Sequence, residues 1–94
     1  MFDNKIGKFF FIGIGGIGMS GIAEVLVNLG FQVTGSDISE NLNITRLRKL
    51  GVQINIGHSK ENINSAAIVV ISSAIENDNI ELIEARKKRV PIVK

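Results

Sequence analysis

The sequence predicts an α/β fold, a doubly wound, five-stranded parallel sheet in the spatial order 3-2-1-4-5 with helices on both faces. Short apolar runs alternate with stretches of helical period, the arrangement that builds parallel sheets from strand–helix–strand units. The first apolar run ends in a glycine-rich turn that opens a helix. Right-handed crossovers then place the first strand centrally, with the second and third on one side and the fourth and fifth on the other. A chain of 94 residues, 45% hydrophobic and 21% charged, has material for one globular domain and one core.

Each element has its own signal. Phe9–Ile14 is apolar on both faces, as a buried strand requires, and is too short to cross a bilayer. Ile22, Val25, Leu26 and Leu29 follow at i, i+3, i+4 and i+7, one apolar helix face expected to meet the core, and Gly30 stands at the C-cap. Phe31–Gly35 reads as the second strand, ending at Ser36 and Asp37. Asn41 or Asn43 is placed to cap a helix with the buried stripe Ile44, Leu47 and Leu50, closed by Gly51. Val52–Ile56 alternates with period two, as an edge strand does. Ser59 is expected to cap a short helical turn around residues 60–64. Ala67–Ile71 is the clearest buried strand, followed by Ser72 and Ser73. Asp78 and Glu81 match a capping box for a helix running to about Lys88, whose basic end, Arg86 to Arg89, suits the negative pole of the helix dipole. Val90–Val93 completes the set as a fifth strand.

Composition excludes several classes of function. The chain has no cysteine, hence no disulfide scaffold, thiolate metal site or cysteine nucleophile. A net charge of +2, from 11 basic and 9 acidic residues, with five phenylalanines as the only aromatics, lacks the basic, aromatic-studded face of a nucleic-acid binder. The opening residues, Met1 to Lys8, have no signal-peptide pattern, so a cytoplasmic location and no membrane partner are expected. The chain stops in strand-like sequence at Pro91–Lys94, as a fragment of a longer protein would. Paired carboxylates, a His-x-x-x-His pattern and a spaced Ser/His/Asp set are all missing. Gly7-Lys8 is followed by Phe9, which rules out a phosphate loop of the ATP-hydrolysing kind.

The informative segment is Gly13–Gly21, in which Gly13, Gly15 and Gly18 form G-x-G-x-x-G between a buried strand and a helix. In that context the pattern reads as a diphosphate-binding turn. Gly13 permits the tight turn, Gly15 the approach of backbone to the anion, and Gly18 close helix–sheet packing. The amides from Gly16 through Ile17 and Gly18 to Met19 are then free to face an anion at the positive pole of the helix, and Ser20 can add a hydroxyl. The alternative is a tight turn that binds nothing. Asp37, nineteen residues after Gly18 at the end of the second strand, is placed to accept ribose hydroxyls or to cap its own loop. Ser36 and Ser39 read more weakly, as loop caps or ligands. Ser72 and Ser73 follow the strand beside the first, at the switch point where such sheets bind ligands, and His58 ends the third strand on the same rim. Each of these has a purely structural alternative.

The run Phe11–Ala23, with its Gly16 and Met19-Ser20-Gly21 extension, resembles the opening signature of the bacterial Mur ligase family, in its UDP-N-acetylmuramate–L-alanine ligase branch. The likeness continues through Gly35-Ser36-Asp37, Gly57-His58 and Ser72-Ser73-Ala74-Ile75 to Val90-Pro91-Ile92, nearly the whole chain. The resemblance implies a three-domain cytoplasmic enzyme of peptidoglycan synthesis. Its first domain holds UDP-N-acetylmuramate, its central domain ATP and magnesium, and its last domain alanine. ATP phosphorylates the lactyl carboxylate, and the alanine amine attacks the acyl phosphate. No position here matches the family's ATP loop or metal ligands, so residues 1–94 are expected to form one substrate-binding domain, without cofactor, metal or catalytic residue of its own. By the same resemblance Gly13 and Gly15 to Ser20 cradle the UDP diphosphate, while Asp37, His58 and Ser73, with Ser36 and Ser72 beside them, border the nucleoside or sugar. Three competing readings remain: a NAD(P)- or FAD-binding domain of an oxidoreductase, a ligase joining a recycled peptide to the same UDP-sugar, and a nucleotide-sensing regulatory domain. The dinucleotide reading calls for two βαβαβ halves and usually six strands, against five legible here.

Overall fold

The computed structural model of the chain describes residues 7–94; the reading of the opening residues as leaderless falls largely on residues 1–6, outside the described ones. Five strands, β1 (Lys8–Ile12), β2 (Gln32–Asp37), β3 (Gln53–Ile56), β4 (Ala66–Val70) and β5 (Ile92–Val93), alternate with helices α1 (Ile17–Asn28), α2 (Leu42–Lys49) and α3 (Ile80–Lys87). A single 3-10 turn, Lys60–Ile63, joins β3 to β4. All neighbouring strands pair in parallel, in the order β3-β2-β1-β4-β5.

The three consecutive phenylalanines explain why β1 is central. Its pleat sends Phe11 into a core shared with Met19 and Ala23 of α1, Ile44 and Leu47 of α2, and Val33 and Ile54 of the sheet. Phe10 and Ile12 face the opposite core, with Ile63, Val69, Leu82 and Ala85. Phe10, Phe11 and Ile12 are all buried, and full burial of such side chains contributes about 1.5–3 kcal/mol each. Phe9 packs edge-on against Phe31 at 5.4 Å between ring centres. A strand apolar on both faces is stable only with helices on both sides, here α1 and α2 on one and α3 with the 3-10 turn on the other.

Several expectations need correction. The buried face of α1 is Met19, Ser20 and Ala23, with Leu26 and Val27 half-buried; Ile22, Val25 and Leu29 are 51, 56 and 46% exposed. The helix is apolar on most of its circumference, so periodicity does not choose a face, and the sheet takes the side where the small Ala23 allows close approach. Leu50, the C-cap just beyond α2, is 41% exposed, because the helix has already ended at the Leu50–Gly51 turn. Asn79, not Asp78, caps α3: its Oδ1 accepts the amides of Glu81 and Leu82. Ser59 stands at the N-cap of the 3-10 turn without a side-chain cap bond; its hydroxyl donates instead to the Glu61 carboxylate. Asn41, one of the two candidates, caps α2 by accepting the Ile44 amide.

Candidate functional site

The carboxyl ends of β1 to β4 bring the glycine turn, Asp37, His58 and Ser72 to one rim. A cavity of about 570 Å³ opens there, lined among others by Gly13, Gly16, Met19, Asp37, His58 and Ser72. It sits where the strand order reverses across β1, the position at which open α/β sheets take ligands. A hollow of similar size, about 600 Å³, lies elsewhere against Thr34, Arg48 and Gln53 and contains none of the glycine-turn groups.

The turn is built by its neighbours. Gly13 has φ +78°, a left-handed conformation that favours glycine, and the amides of Gly13 and Ile14 both donate to the Ser36 carbonyl, at 2.9 and 3.0 Å. Gly15 is held from both ends. Its N–H donates to Asp37 Oδ2 at 2.7 Å, and its carbonyl accepts from the side-chain amides of Asn41 (3.1 Å) and Asn43 (3.0 Å). A Cβ on Gly15 would lie 2.8 Å from both Asp37 Oδ2 and Asn41 Nδ2. Glycine is therefore needed here for the close approach of the β2–α2 loop, and the Gly15 amide is already committed to Asp37. The Gly16 amide is also taken, by the Gly13 carbonyl at 3.2 Å.

What remains open is the first turn of α1. Gly16 occupies its N-cap without a side-chain bond, no acidic residue lies in the first turn, and the first intrahelical bond is Ser20 N–H to Gly16 O. The amides of Ile17, Gly18 and Met19 thus have no acceptor among the described residues. Gly18 is corrected in role: it is exposed, and a Cβ there would meet nothing within 4 Å, so it does not bring helix and sheet together. Ser20 is also corrected, being buried with its hydroxyl turned back to the Ile17 carbonyl at 3.2 Å.

Around this turn the predicted residues take different positions. Asp37 lines the cavity; its Oδ1 accepts the Ile38 amide at 2.7 Å, and each carboxylate oxygen keeps a further lone pair. Ser72 Oγ accepts the Ala74 amide at 3.2 Å, and Ser73 is exposed on the outer rim. Ser36 is fully buried, and its hydroxyl donates to Glu81 Oε1 at 2.6 Å, so it serves the protein interior rather than the cavity. His58 lines the cavity with Nδ1 turned inward, 2.7 Å from the same Glu81 oxygen.

Glu81, fully buried on α3, was not legible as a site residue: its place in a helix first turn points to capping, and only the fold sets it beside β2 and β3. Its second oxygen accepts from Asn62 Nδ2 at 2.6 Å and from the Ser59 amide at 3.2 Å. Asn41 and Asn43, the anchors of the Gly15 carbonyl, likewise had no sequence signal beyond helix capping.

Residues 8–94 match a family model described as "Mur ligase family, catalytic domain". The chain is 58% identical over 90 residues to the UDP-N-acetylmuramate–L-alanine ligase of Bradyrhizobium diazoefficiens, and 60% over 90 residues to that of Rhodospirillum centenum. Each match covers 96% of this chain and 19% of the relative. Among solved structures, the UDP-N-acetylmuramate–alanine ligase MurC of Thermotoga maritima aligns with a TM-score of 0.88 at 42% identity, covering 93% of this chain and 20% of that one. The chain therefore spans about a fifth of the length of the relatives it matches.

Proposed function

This chain belongs to the Mur ligase family, and from that membership we propose that it is the substrate-holding domain of a ligase that joins L-alanine to UDP-N-acetylmuramate with ATP in peptidoglycan synthesis. In this reading residues 1–94 are one unit that holds UDP-N-acetylmuramate. ATP, magnesium and alanine are handled by the central and C-terminal domains of a longer cytoplasmic protein. No described helix is long and apolar enough to cross a membrane.

The observation that carries the reading is the uncapped start of α1, with three unclaimed amides beside a rim cavity large enough for a nucleotide head. Amide hydrogens and the helix dipole together favour an anion at that point. A diphosphate seated on Ile17, Gly18 and Met19 has Asp37 on one side, whose free lone pairs suit ribose hydroxyls, and His58 on the other. Ser72 and Ser73 border the remaining rim. Ser36 supports the site from behind through Glu81.

Calorimetric titration of the 94-residue chain with UDP-N-acetylmuramate, UDP and NAD tests the proposal. The two uridine nucleotides bind and NAD binds poorly, because the described five-stranded sheet lacks the complete second βαβαβ half over which a dinucleotide extends. Tight NAD binding with no response to either uridine compound overturns it.

A further inference from the structure

Four donors converge on the buried carboxylate of Glu81. Ser36 Oγ and His58 Nδ1 approach Oε1 at 2.6 and 2.7 Å, while the Ser59 amide and Asn62 Nδ2 approach Oε2 at 3.2 and 2.6 Å. An ionised carboxylate has only acceptor sites. The hydroxyl hydrogen of Ser36 is spent on Oε1, so the 3.0 Å contact between Ser36 Oγ and His58 Nδ1 leaves Oγ as a second acceptor for the imidazole. Both groups facing Nδ1 therefore demand a hydrogen on it. In the neutral ring that leaves Nε2 as a bare acceptor. Nε2 has no partner among the described residues and is not a buried unsatisfied atom, so it is open at the cavity that His58 lines.

We infer that Glu81 is a positioning residue that fixes His58 in the Nδ1-protonated tautomer, so that Nε2 accepts a hydrogen bond from an N–H or O–H donor of the bound nucleotide's base or ribose. The inference rests on the nucleotide reading of the cavity and adds to it a polarity: this side of the site selects a donor on the ligand. An imidazole free in water prefers hydrogen on Nε2, so the Nδ1–H form is a signature of the buried acceptor rather than of histidine itself. It also accounts for a fully buried glutamate whose carboxylate the helix cap does not use: Asn79 takes only the backbone amide of Glu81.

The chain has a single histidine, so its imidazole nitrogens are assigned without ambiguity in a long-range proton–nitrogen spectrum of the labelled protein. At a pH where the ring is neutral, the expected spectrum has hydrogen on Nδ1 and a bare Nε2; hydrogen on Nε2 overturns the inference. Addition of UDP is expected to move the Nε2 resonance while Nδ1 stays protonated. If the amides of Ile17, Gly18 and Met19 shift with UDP and Nε2 does not, the inference fails and the nucleotide reading stands. If neither set moves at saturating UDP, the nucleotide reading itself fails. Glu81→Gln sharpens the test. The Ser59 amide cannot reverse its polarity, so it draws the new amide's single oxygen to the Oε2 side and turns the NH2 toward Nδ1. The ring should then switch to Nε2–H, and UDP should bind about fivefold more weakly, the loss of one neutral hydrogen bond, with inorganic diphosphate unaffected. A folded Glu81→Gln chain that keeps the Nδ1–H form overturns the role given to Glu81.

Discussion

Asp37 Oδ2 accepts the Gly15 amide at 2.7 Å, tying the carboxyl end of β2 to the turn that leaves β1. The residue expected to read ribose is therefore also a strut of the glycine turn proposed to hold the diphosphate, and its two roles are separable only by ligand. Removing Asp37 therefore disturbs the glycine turn as well as any contact to a ribose.

Asp37→Ala should lower stability by about 1.5 kcal/mol, the low end for a hydrogen bond to a charged group because the side chain is part-exposed. It should weaken binding of both UDP and inorganic diphosphate, with the larger loss for UDP. Thermal melts and paired titrations measure this, and equal losses for the two ligands would confine Asp37 to shaping the turn.

Gly15 and Gly18 should separate folding from binding. Gly15→Ala drives a Cβ to within 2.8 Å of Asp37 and Asn41, an overpacking that costs about 1–3 kcal/mol. Gly18→Ala meets nothing and, being in a helix, should leave stability unchanged or raise it by up to about 1 kcal/mol. Its methyl group nonetheless stands at the open first turn, so diphosphate affinity should fall. Denaturant melts with a titration on each variant give both quantities, and a Gly18→Ala protein that binds as before would place the anion elsewhere.

The two faces of α1 should respond oppositely to substitution. Ile22→Lys and Val25→Lys lie on the exposed side and should each change stability by no more than about 0.5 kcal/mol. Ala23→Leu forces three heavy atoms into a fully buried contact and should cost about 1–3 kcal/mol. Chemical denaturation of the three variants reads this directly.

Glu61 should titrate below the ordinary carboxylate range, chiefly because the Ser59 hydroxyl donates to it, with its own backbone amide also contributing and the nearby Lys60 and Lys88 helping. The lowered pKa means that its small stabilising effect is present above the unfolded-state value and lost as pH falls through the folded one. Ser59→Ala should return the titration toward the ordinary range, as measured by the Glu61 side-chain carboxyl shift across an acid pH series.

The sheet is legible in the chain alone. Phe9–Ile14 and Ala67–Ile71 read as apolar on both faces, which only a two-sided α/β arrangement satisfies, and right-handed crossovers leave one economical strand order. The sequence also marks the turn at Gly13–Gly18, because positive φ and an uncapped helix start leave a glycine pattern in the chain. Tertiary structure decided which face of α1 is buried, since a helix apolar nearly all round carries no preference that neighbouring residues can express. It decided that Gly15 answers to Asp37 and Asn41, and that Glu81 reaches Ser36, His58 and Asn62 across separations of 19 to 45 residues. Hydrogen bonds over such distances leave no periodicity in the chain: each partner has a satisfactory local reading as a cap or loop residue, and the bonds exist only once the parallel sheet sets the ends of β2 and β3 against the start of α3.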